Sequence, residues 1–570
     1  MIDQIRRMTR DGAFQQRLTD LLVDICQVDS TPRGDVAVMR QAEDEIFGQI
    51  KGYLGELSFS GGTIEQRPVD PRIASHPAYS RPHFTKTPDR PEGLPPEETY
   101  RDRSNLLFRL PGINTSPAGR NTAVHSHVDV VAPFIAPELK QGVVHGRGAC
   151  DDKGNVAVIL GALGVLARLV GDSGLNKDLT AMFVVEEETG GNGSLSLAVD
   201  QSLNAHYDSI MVLECAGNRV YPANRGAVWY QLELRCQDLP QLELAAFVIM
   251  EMELEGRAIK AESRHPLFPQ RPVQTCHGMI GPYGEHPSRI CGDVGFAISF
   301  ERTPAWEQVE PLVNDCIASG LDMYTRIYGD KTKISDPSTG QPKVKCHFDM
   351  EREENACVVN VHGSTGHMGA IDENDGAITK MAFLVRALAY SRGKLEEAAG
   401  TPLTLTLADP GDSRNLRLEG GQGFIPNHGI DEIMERIRSA AQRGAANYLC
   451  YAGRQGGGAE SVRVTYEKLH NDAFDGDPNS PSMRNAIYAS RAAGRWQGGP
   501  VSGWTVSCDA RLFAGERPGM PVLTAGVGEL AHAHSDDEQL ALDQLWPAVE
   551  FLAAYLLLET GTCSPEQLVP

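Results

Sequence analysis

The chain has 570 residues, of which 41% are hydrophobic and 22% are charged, as in an ordinary soluble globular protein. Because one domain usually takes roughly 100–200 residues, we expect two or three domains. A net charge of −22 argues against nucleic acid and anionic membrane as partners, since both require a basic surface.

The sequence also indicates where the protein works. The amino terminus, residues 1–8, lacks the apolar core of a secretion signal. No run of about 20 apolar residues predicts a membrane span. The twelve cysteines show no C-x-x-C spacing and no disulfide-like clustering, which favours reduced thiols and a cytoplasmic location.

The first 230 residues predict strands that alternate with helices. Apolar residues at helical spacing predict two helices within residues 15–54. Many prolines in residues 68–98 predict a long loop or insertion. We predict strands at 105–110, 121–125, 179–185 and 209–213, and a helix at 155–169. This order favours an α/β fold with a mixed, mostly parallel sheet flanked by helices.

Residues 231–465 have a different pattern, which predicts an inserted α+β domain. Its first half holds a strand at 230–236, a helix at 242–261, a hairpin of strands 274–280 and 295–300, and a helix at 304–327. A similar order follows, with strands at 357–362, 403–407 and 462–466 and helices at 375–388 and 430–445. The repeated order suggests an internal duplication.

Residues 466–570 return to the first pattern, so we expect them to complete the domain begun by residues 1–230. Residues 505–512 and 521–528 are predicted strands, and a closing helix is expected over 540–558.

Acid and imidazole side chains follow several of these strands. In α/β sheets, ligands bind beyond the carboxyl ends of the strands. Imidazole and carboxylate groups are the ligands that zinc and similar divalent cations take. The residues placed at such ends are His127, Asp151, Glu187, Glu188, Glu214 and His534. A metal site at this edge of the sheet is therefore predicted.

Five motifs occur in a fixed order along nearly the whole chain. They are His127-Val-Asp129, Gly146-Arg-Gly-Ala-Cys-Asp151-Asp-Lys-Gly154, Glu186-Glu187-Glu188-Thr-Gly190, the isolated carboxylate Glu214, and His534-Ser-Asp-Asp-Glu538. In this respect the chain resembles the dinuclear zinc peptidase family of aminoacylase, acetylornithine deacetylase, carnosine dipeptidase and glutamate carboxypeptidase. The resemblance implies a catalytic α/β domain (1–230 and 466–570) with an inserted lid or dimerisation-type domain (231–465).

The resemblance also implies a role for each motif residue. Asp151 would bridge two metal ions, and the peptide bond that follows it would be cis. His127 and Glu214 would complete the shell of one ion, and Glu188 and His534 that of the other. The ions are expected to be zinc, with cobalt or manganese as alternatives.

The resemblance also implies roles for three residues that do not bind metal. Asp129 would hold the ring of His127. Glu187 would be the general base. His367 matches a lid histidine that reaches the oxyanion of the tetrahedral intermediate. That histidine comes from the other subunit in dimeric relatives, so the chain is expected to be a homodimer or a monomer with a duplicated lid.

Several assignments have neighbours that compete with them. His125 competes with His127, and His532 with His534. The run of three glutamates allows a slip of one residue between base and ligand.

Other side chains have alternative roles, either at the site or in the structure. Asp509 and Arg511 are either near the site or a structural ion pair. Arg225 and Arg289 are candidates for binding a substrate carboxylate, and His145 and His277 read as structural residues.

The expected activity is hydrolysis of an amide or peptide bond in a small molecule with a free carboxylate, either a dipeptide or an N-acyl amino acid. This description covers exopeptidases, dipeptidases and deacylases. Two other functions compete with it: a catalytically silent relative that binds a ligand, and an aminopeptidase with the same metal core. Retention of Glu187 with all the metal ligands argues against the first, and the large insertion argues against the second.

Overall fold

The computed structural model describes residues 1–114, 117–236, 239–287, 289–335, 340–366, 368, 375–409, 415–454, 456–466, 470–496 and 498–568. The chain forms two compact units. Unit 1 comprises Met1–Gly226, Arg264–Gln270 and Lys468–Pro570, and unit 2 comprises Ala227–Ser263 and Arg271–Glu467. The short segment 264–270, which the sequence-based division placed in the insertion, thus belongs to unit 1.

The helices are α1 (Ile2–Thr9), α2 (Gly12–Gln27), α3 (Val36–Gly55), α4 (Pro96–Thr99), α5 (Lys153–Val170), α6 (Asn192–Ala198), α7 (Gln201–Asn204), α8 (Gln241–Glu262), α9 (Trp306–Tyr328), α10 (Ala377–Tyr390), α11 (Arg392–Ala399), α12 (Ile430–Tyr451), α13 (Pro481–Ala492), α14 (Ala510–Glu516), α15 (Leu542–Glu559) and α16 (Pro565–Leu568). Short 3-10 turns lie at Pro71–Ser75, His83–Thr85, Gly171–Ser173 and Lys331–Lys333.

The strands are β1 (Thr63–Pro68), β2 (Ser104–Leu110), β3 (Thr122–His127), β4 (Glu138–Lys140), β5 (Val143–His145), β6 (Leu179–Val184), β7 (Ser209–Leu213), β8 (Val220–Tyr221), β9 (Ala223–Asn224), β10 (Gly226–Leu234), β11 (Thr275–Ile280), β12 (Asp293–Phe300), β13 (Phe348–Arg352), β14 (Ala356–His362), β15 (Leu403–Leu407), β16 (Leu416–Phe424), β17 (Val462–Thr465), β18 (His470–Asn471), β19 (Phe474–Asp475), β20 (Val522–Ala525) and β21 (Gln539–Ala541).

Unit 1 is built on a mixed sheet with the strand order β1-β2-β6-β3-β7-β20-β8. The central strands β6, β3, β7 and β20 run parallel, and the strands at both edges are antiparallel. The predicted mixed α/β fold is therefore confirmed, with parallel pairing confined to the centre. Strands β3, β6 and β7 are buried along their whole length, which explains why they read as nearly continuous apolar runs.

Helix α5 is the central helix of unit 1. It is apolar on nearly every side, and 83% of it is buried inside the protein. Its length and composition would suit a membrane span, but a helix that is apolar all round and covered by its own protein is a core helix. The covering is tight at Gly161, where a Cβ atom would lie 2.7 Å from Leu18 of α2 and 2.8 Å from Val549 of α15.

Unit 2 contains two strand arrays in which the pairs β11–β16, β10–β17, β12–β14, β12–β15 and β13–β14 are antiparallel. One has the order β11-β16-β10-β17 and the other β13-β14-β12-β15. The predicted hairpin of strands 274–280 and 295–300 is therefore wrong, because β11 pairs with β16 while β12 pairs with β14 and β15. The twelve residues 281–292 between these strands are too many for a tight turn, so partners far along the chain decide the pairing.

At one end of β14, an imidazole lies between two carboxylates. The ring of His362 bonds Asp293 of β12 at 2.8 Å and Asp349 of β13 at 2.7 Å. These hydrogen bonds raise the pKa of His362 above its usual range.

The strand predicted at 505–512 is also wrong. Residues 510–516 form helix α14, and residues 505–509 are irregular. Val506, Cys508, Ala510 and Leu512 are all buried, so alternate residues are apolar for reasons of local packing and imitate the period of a strand.

Candidate metal centre

The parallel strands of unit 1 bring the motif residues to one edge of the sheet. His127 is level with Val184 of β6, and Leu213 of β7 is level with Ala525 of β20. Because the carboxyl ends of parallel strands meet at one edge, the residues that follow them become neighbours. Glycine at 526 (φ +146°) permits this closeness, since a Cβ atom there would lie 2.1 Å from the carbonyl oxygen of Glu214.

One group of potential ligands comprises His127, Asp151, Asp152 and Glu214, whose ligand atoms all lie within 4.8 Å of one another. The Nε2 atom of His127 is 3.3 Å from the Asp151 carboxylate and 4.0 Å from that of Glu214. The Asp152 carboxylate is already engaged by the Ser126 hydroxyl and by the Asn155 amide at 2.5 Å. These hydrogen bonds occupy the Asp152 carboxylate. His127, Asp151 and Glu214 keep electron pairs that a cation can accept.

A second group comprises Asp151, Glu188 and His534. The Nε2 atom of His534 is 3.4 Å from Asp151 Oδ2 and 3.0 Å from Glu188 Oε2. Asp151 thus belongs to both groups, with one carboxylate oxygen facing each histidine. The peptide bond between Asp151 and Asp152 is cis.

The residues of these groups fit two divalent cations. Glu214 Oε1 is buried and has no hydrogen-bond partner among the described residues. Such an atom, close to other buried carboxylates, is costly unless a positive charge compensates it. Two groups of imidazole and carboxylate ligands with a shared aspartate supply the donor types that divalent metals bind.

Asp129 connects the two sides of this centre. The Nδ1 atom of His127 donates to the Asp129 carbonyl oxygen at 3.0 Å, which leaves Nε2 as the ligand atom. The Asp129 carboxylate, 3.5 Å from the same ring, accepts the backbone N–H groups of Glu187 at 3.1 Å and Glu188 at 3.0 Å. One residue therefore orients both the histidine and the turn that carries the two glutamates.

Glu187 is half-buried, and its carboxylate belongs to neither ligand group among the described residues. Burial raises the pKa of Glu187 well above its usual range, and the charge of nearby Asp509 adds to the effect. A carboxylate beside the two ligand groups but in neither of them would be available for proton transfer.

A buried ion network supports this turn, and no sequence motif predicts it. Glu186 (φ +67°) pairs with the Arg103 guanidinium and accepts a hydrogen bond from the Tyr100 hydroxyl at 3.0 Å. Arg103 also binds Glu43 at 2.6 Å, and its side chain is 1% exposed. The network fixes the backbone immediately before Glu187 and Glu188.

A second support holds the turn that carries Asp151. The Oε1 atom of Glu538 accepts the backbone N–H groups of Gly148, Cys150 and Asp151 at 2.9–3.1 Å. Its Oε2 atom pairs with Arg147 at 2.5 Å, and both side chains are at most 1% exposed. The glutamate of the His-x-x-x-Glu motif thus shapes the backbone at the shared aspartate.

The competing histidines lie outside both ligand groups. His125 is buried and bonded to the Ser194 hydroxyl at 2.7 Å, and burial together with the nearby His127 lowers its pKa to about 3. His532 lies 3.4 Å from the Gln539 amide. His367 is outside the described residues.

Asp509 and Arg511, which form the Asp-x-Arg sequence, are buried beside Glu187. Burial raises the pKa of Asp509 to about 6, partly offset by the charge of Arg511. Arg511 donates to the carbonyl oxygen of Gly190 at 3.0 Å, in the turn that follows the glutamates. Both residues therefore pack against the site rather than within either ligand group.

Comparison with known proteins agrees with this arrangement. The model of the peptidase family M20/M25/M40 matches residues 123–558, which is more than half of the chain. The chain belongs to this peptidase family.

Individual relatives of this M20 peptidase are distant. A peptidase M20 domain-containing protein of Schizosaccharomyces pombe is 29% identical over 143 residues, 23% of this chain and 34% of that protein. The chain thus spans about a third of that relative's length. A LysW-lysine/LysW-ornithine hydrolase of Saccharolobus islandicus is 23% identical over 246 residues, 42% of this chain and 67% of that protein.

Two solved structures share the fold. Human carnosine dipeptidase 1 gives a TM-score of 0.55 at 12% identity, over 99% of this chain and 100% of that one. A dipeptidase from Saccharomyces cerevisiae gives 0.55 at 12% identity, over 99% of both chains. At this identity the likeness establishes the architecture alone.

Proposed function

We propose that this M20 peptidase hydrolyses the amide bond of a small carboxylate-bearing molecule, either a dipeptide or an N-acyl amino acid. The observation that carries the proposal is the pair of ligand groups that share Asp151, with the Glu187 carboxylate beside them and bound to neither. The names of the relatives, a carnosine dipeptidase and a hydrolase of lysine and ornithine conjugates, support substrates of this kind.

We assign the metal ligands as His127 and Glu214 for one cation, Glu188 and His534 for the other, and Asp151 for both. Zinc suits this set best, and cobalt or manganese suits the same ligands. Two cations held by these residues would supply polarisation of the substrate carbonyl and activation of water near neutral pH.

The chain's own residues supply orientation and proton transfer. Asp129 keeps the proton of His127 on Nδ1 and holds the 187–188 turn in place. Glu187 accepts a proton from the attacking water and delivers it to the leaving amine, as a general base that then acts as a general acid. We assign His367 to hydrogen bonding with the oxygen that becomes negatively charged.

The two parts of the chain take different roles in this proposal. Residues 1–230 and 466–570 carry the catalytic centre, and residues 231–465 act as the lid. A lid with a repeated order of elements suits a monomer that supplies its own His367, and a homodimer is the alternative. We place the enzyme in the cytoplasm.

The decisive experiment compares Glu187→Gln with Glu188→Gln. Both variants replace one glutamate in the same turn by its uncharged isostere. We expect Glu187→Gln to keep two metal ions per chain, measured by elemental analysis, and to lose hydrolysis of a panel of dipeptides and N-acyl amino acids. Glu188→Gln should lose metal as well as activity.

Three results would count against parts of the proposal. Full activity in Glu187→Gln would remove the general base. Wild-type protein that binds no metal would remove the dinuclear centre. Two bound metals without turnover of any substrate in the panel would favour the silent, ligand-binding relative.

A further inference from the structure

Unit 2 contains a cavity of about 320 Å³ between α8, α9, α10 and β11. This volume is in the range of pockets that hold small ligands. The polar side chains that line it include Glu253, Arg257, Lys260, His277, Tyr328 and Lys331. All of them belong to unit 2, whereas the ligand groups of the metal centre belong to unit 1.

A buried histidine contributes an unused polar atom to this cavity. The Tyr230 hydroxyl donates to the carbonyl oxygen of Cys276 at 2.9 Å, so at 2.7 Å it accepts the Nδ1–H of His277. The His277 side chain is 0% exposed, and its Nε2 atom makes no hydrogen bond to the described residues. Buried polar atoms are nearly always hydrogen-bonded, so we expect a bound molecule to supply the hydrogen bond to this atom.

The acid beside this histidine is already held by the protein. Glu253 Oε1 lies 3.3 Å from His277 Nε2 and accepts the Thr379 hydroxyl at 3.0 Å. Glu253 Oε2 accepts the Tyr328 hydroxyl at 2.5 Å. The carboxylate is therefore fixed at one wall, with capacity for one more donor on each oxygen.

The cationic side chains outnumber this acid. Arg257 reaches the Tyr328 hydroxyl at 3.0 Å, and Lys260 and Lys331 also line the cavity. Among the described residues that line the cavity, Arg257 and Lys260 already outnumber the one carboxylate, Glu253, and a positive balance of this kind attracts anions. Val273, Ile290 and Ile327 provide apolar surface beside the charges, as in pockets that bind small organic molecules.

We propose that this cavity is a second binding site, separate from the metal centre, for a small carboxylic acid. The carboxylate is recognised by Arg257 and Lys260, and the body of the ligand lies against the apolar wall. His277 Nε2 and Glu253, which shares the Tyr328 hydroxyl with Arg257, accept hydrogen bonds from a donor group of the same ligand. An amino acid satisfies this description with its carboxylate and its ammonium group, whereas a dicarboxylic acid lacks the donor, and the test distinguishes the two.

The test is calorimetric titration of the whole chain with three probes: succinate, L-alanine and inorganic phosphate. We expect saturable binding of L-alanine, whose ammonium group meets Glu253, and weaker or no binding of succinate. Binding of succinate alone would contradict the role of Glu253 and His277 Nε2 as acceptors. In Arg257→Met and in Lys260→Met the affinity should fall about tenfold or more, the effect of losing a charge-assisted hydrogen bond.

Two control variants make the result specific. Lys333→Met removes the same charge from a side chain that is 80% exposed and does not line the cavity, so the affinity should not change. Glu214→Ala disrupts the metal centre and should leave the affinity unchanged, so the outcome does not depend on the proposed hydrolase activity. The proposal is overturned if no carboxylate probe binds, if phosphate alone binds, or if Arg257→Met and Lys260→Met bind as wild type does. It also fails if Glu214→Ala abolishes binding.

Discussion

Replacement of Glu538 by alanine should lower both the free energy of unfolding of unit 1 and its affinity for metal. The substitution leaves the backbone N–H groups of Gly148, Cys150 and Asp151 without their acceptor and the Arg147 guanidinium without its counter-ion. Removing one partner of a buried ion pair costs about 3–5 kcal/mol. Arg147 keeps hydrogen bonds to two backbone carbonyls, so we expect about 3 kcal/mol.

The effect on metal follows from the position of Asp151, which shares the turn and belongs to both ligand groups. Loss of such an outer support lowers metal affinity by about 10–100-fold. Competition with a chromophoric chelator measures the affinity, and calorimetric unfolding measures stability. Asp537→Ala, whose side chain is 77% exposed, is the control. If Glu538→Ala binds metal and unfolds as the control does, the turn does not depend on this glutamate and the reasoning is wrong.

Three further predictions concern the metal centre, the buried ion network and unit 2. A chelator should lower the melting temperature of unit 1, since cations at a hundredfold excess over Kd stabilise the folded state by about 2.7 kcal/mol; an unchanged melting temperature would mean that the centre is stable without cations. Arg103→Met leaves Glu43 and Glu186 buried without a counter-ion and should cost about 3–5 kcal/mol, whereas Arg101→Met, on the surface, should be near neutral in the same unfolding assay. The raised pKa of His362 means that the folded state binds more protons than the unfolded state above about pH 6.5, so its contribution to stability is complete below that pH and is lost as the pH rises through the folded pKa. The difference in melting temperature between wild type and His362→Gln should therefore shrink from about pH 6 to pH 9, and a constant difference would contradict the assignment.

The sequence predicts the parts of this protein that depend on local pattern. The buried central strands read as apolar runs, and α5 and α15 read as long helices, because burial dictates their composition over many consecutive residues. Five of the six residues in the two ligand groups, all but Asp152, are predictable as a set because a metal requires imidazole and carboxylate side chains, which stand out after apolar strands.

What the sequence could not reveal depends on contacts between distant segments. The pairing of β11 with β16 and the link from Glu186 through Arg103 to Glu43 join residues that lie far apart in the chain. Asp152 is absent from the predicted ligands because its role depends on what its carboxylate touches, here Ser126 and Asn155. No periodicity records such contacts.

The burial of α5 has a consequence for how the protein is made. The helix is synthesised several hundred residues before α15, which covers one of its sides. Until then a long apolar helix lacks part of its cover, and exposed apolar surface of this kind promotes aggregation. His534 shortly precedes α15, so the second ligand group cannot assemble before this distant segment is synthesised. Uptake of the second metal ion would therefore mark, in time, a chain in which residues 151–188 and residue 534 have come together.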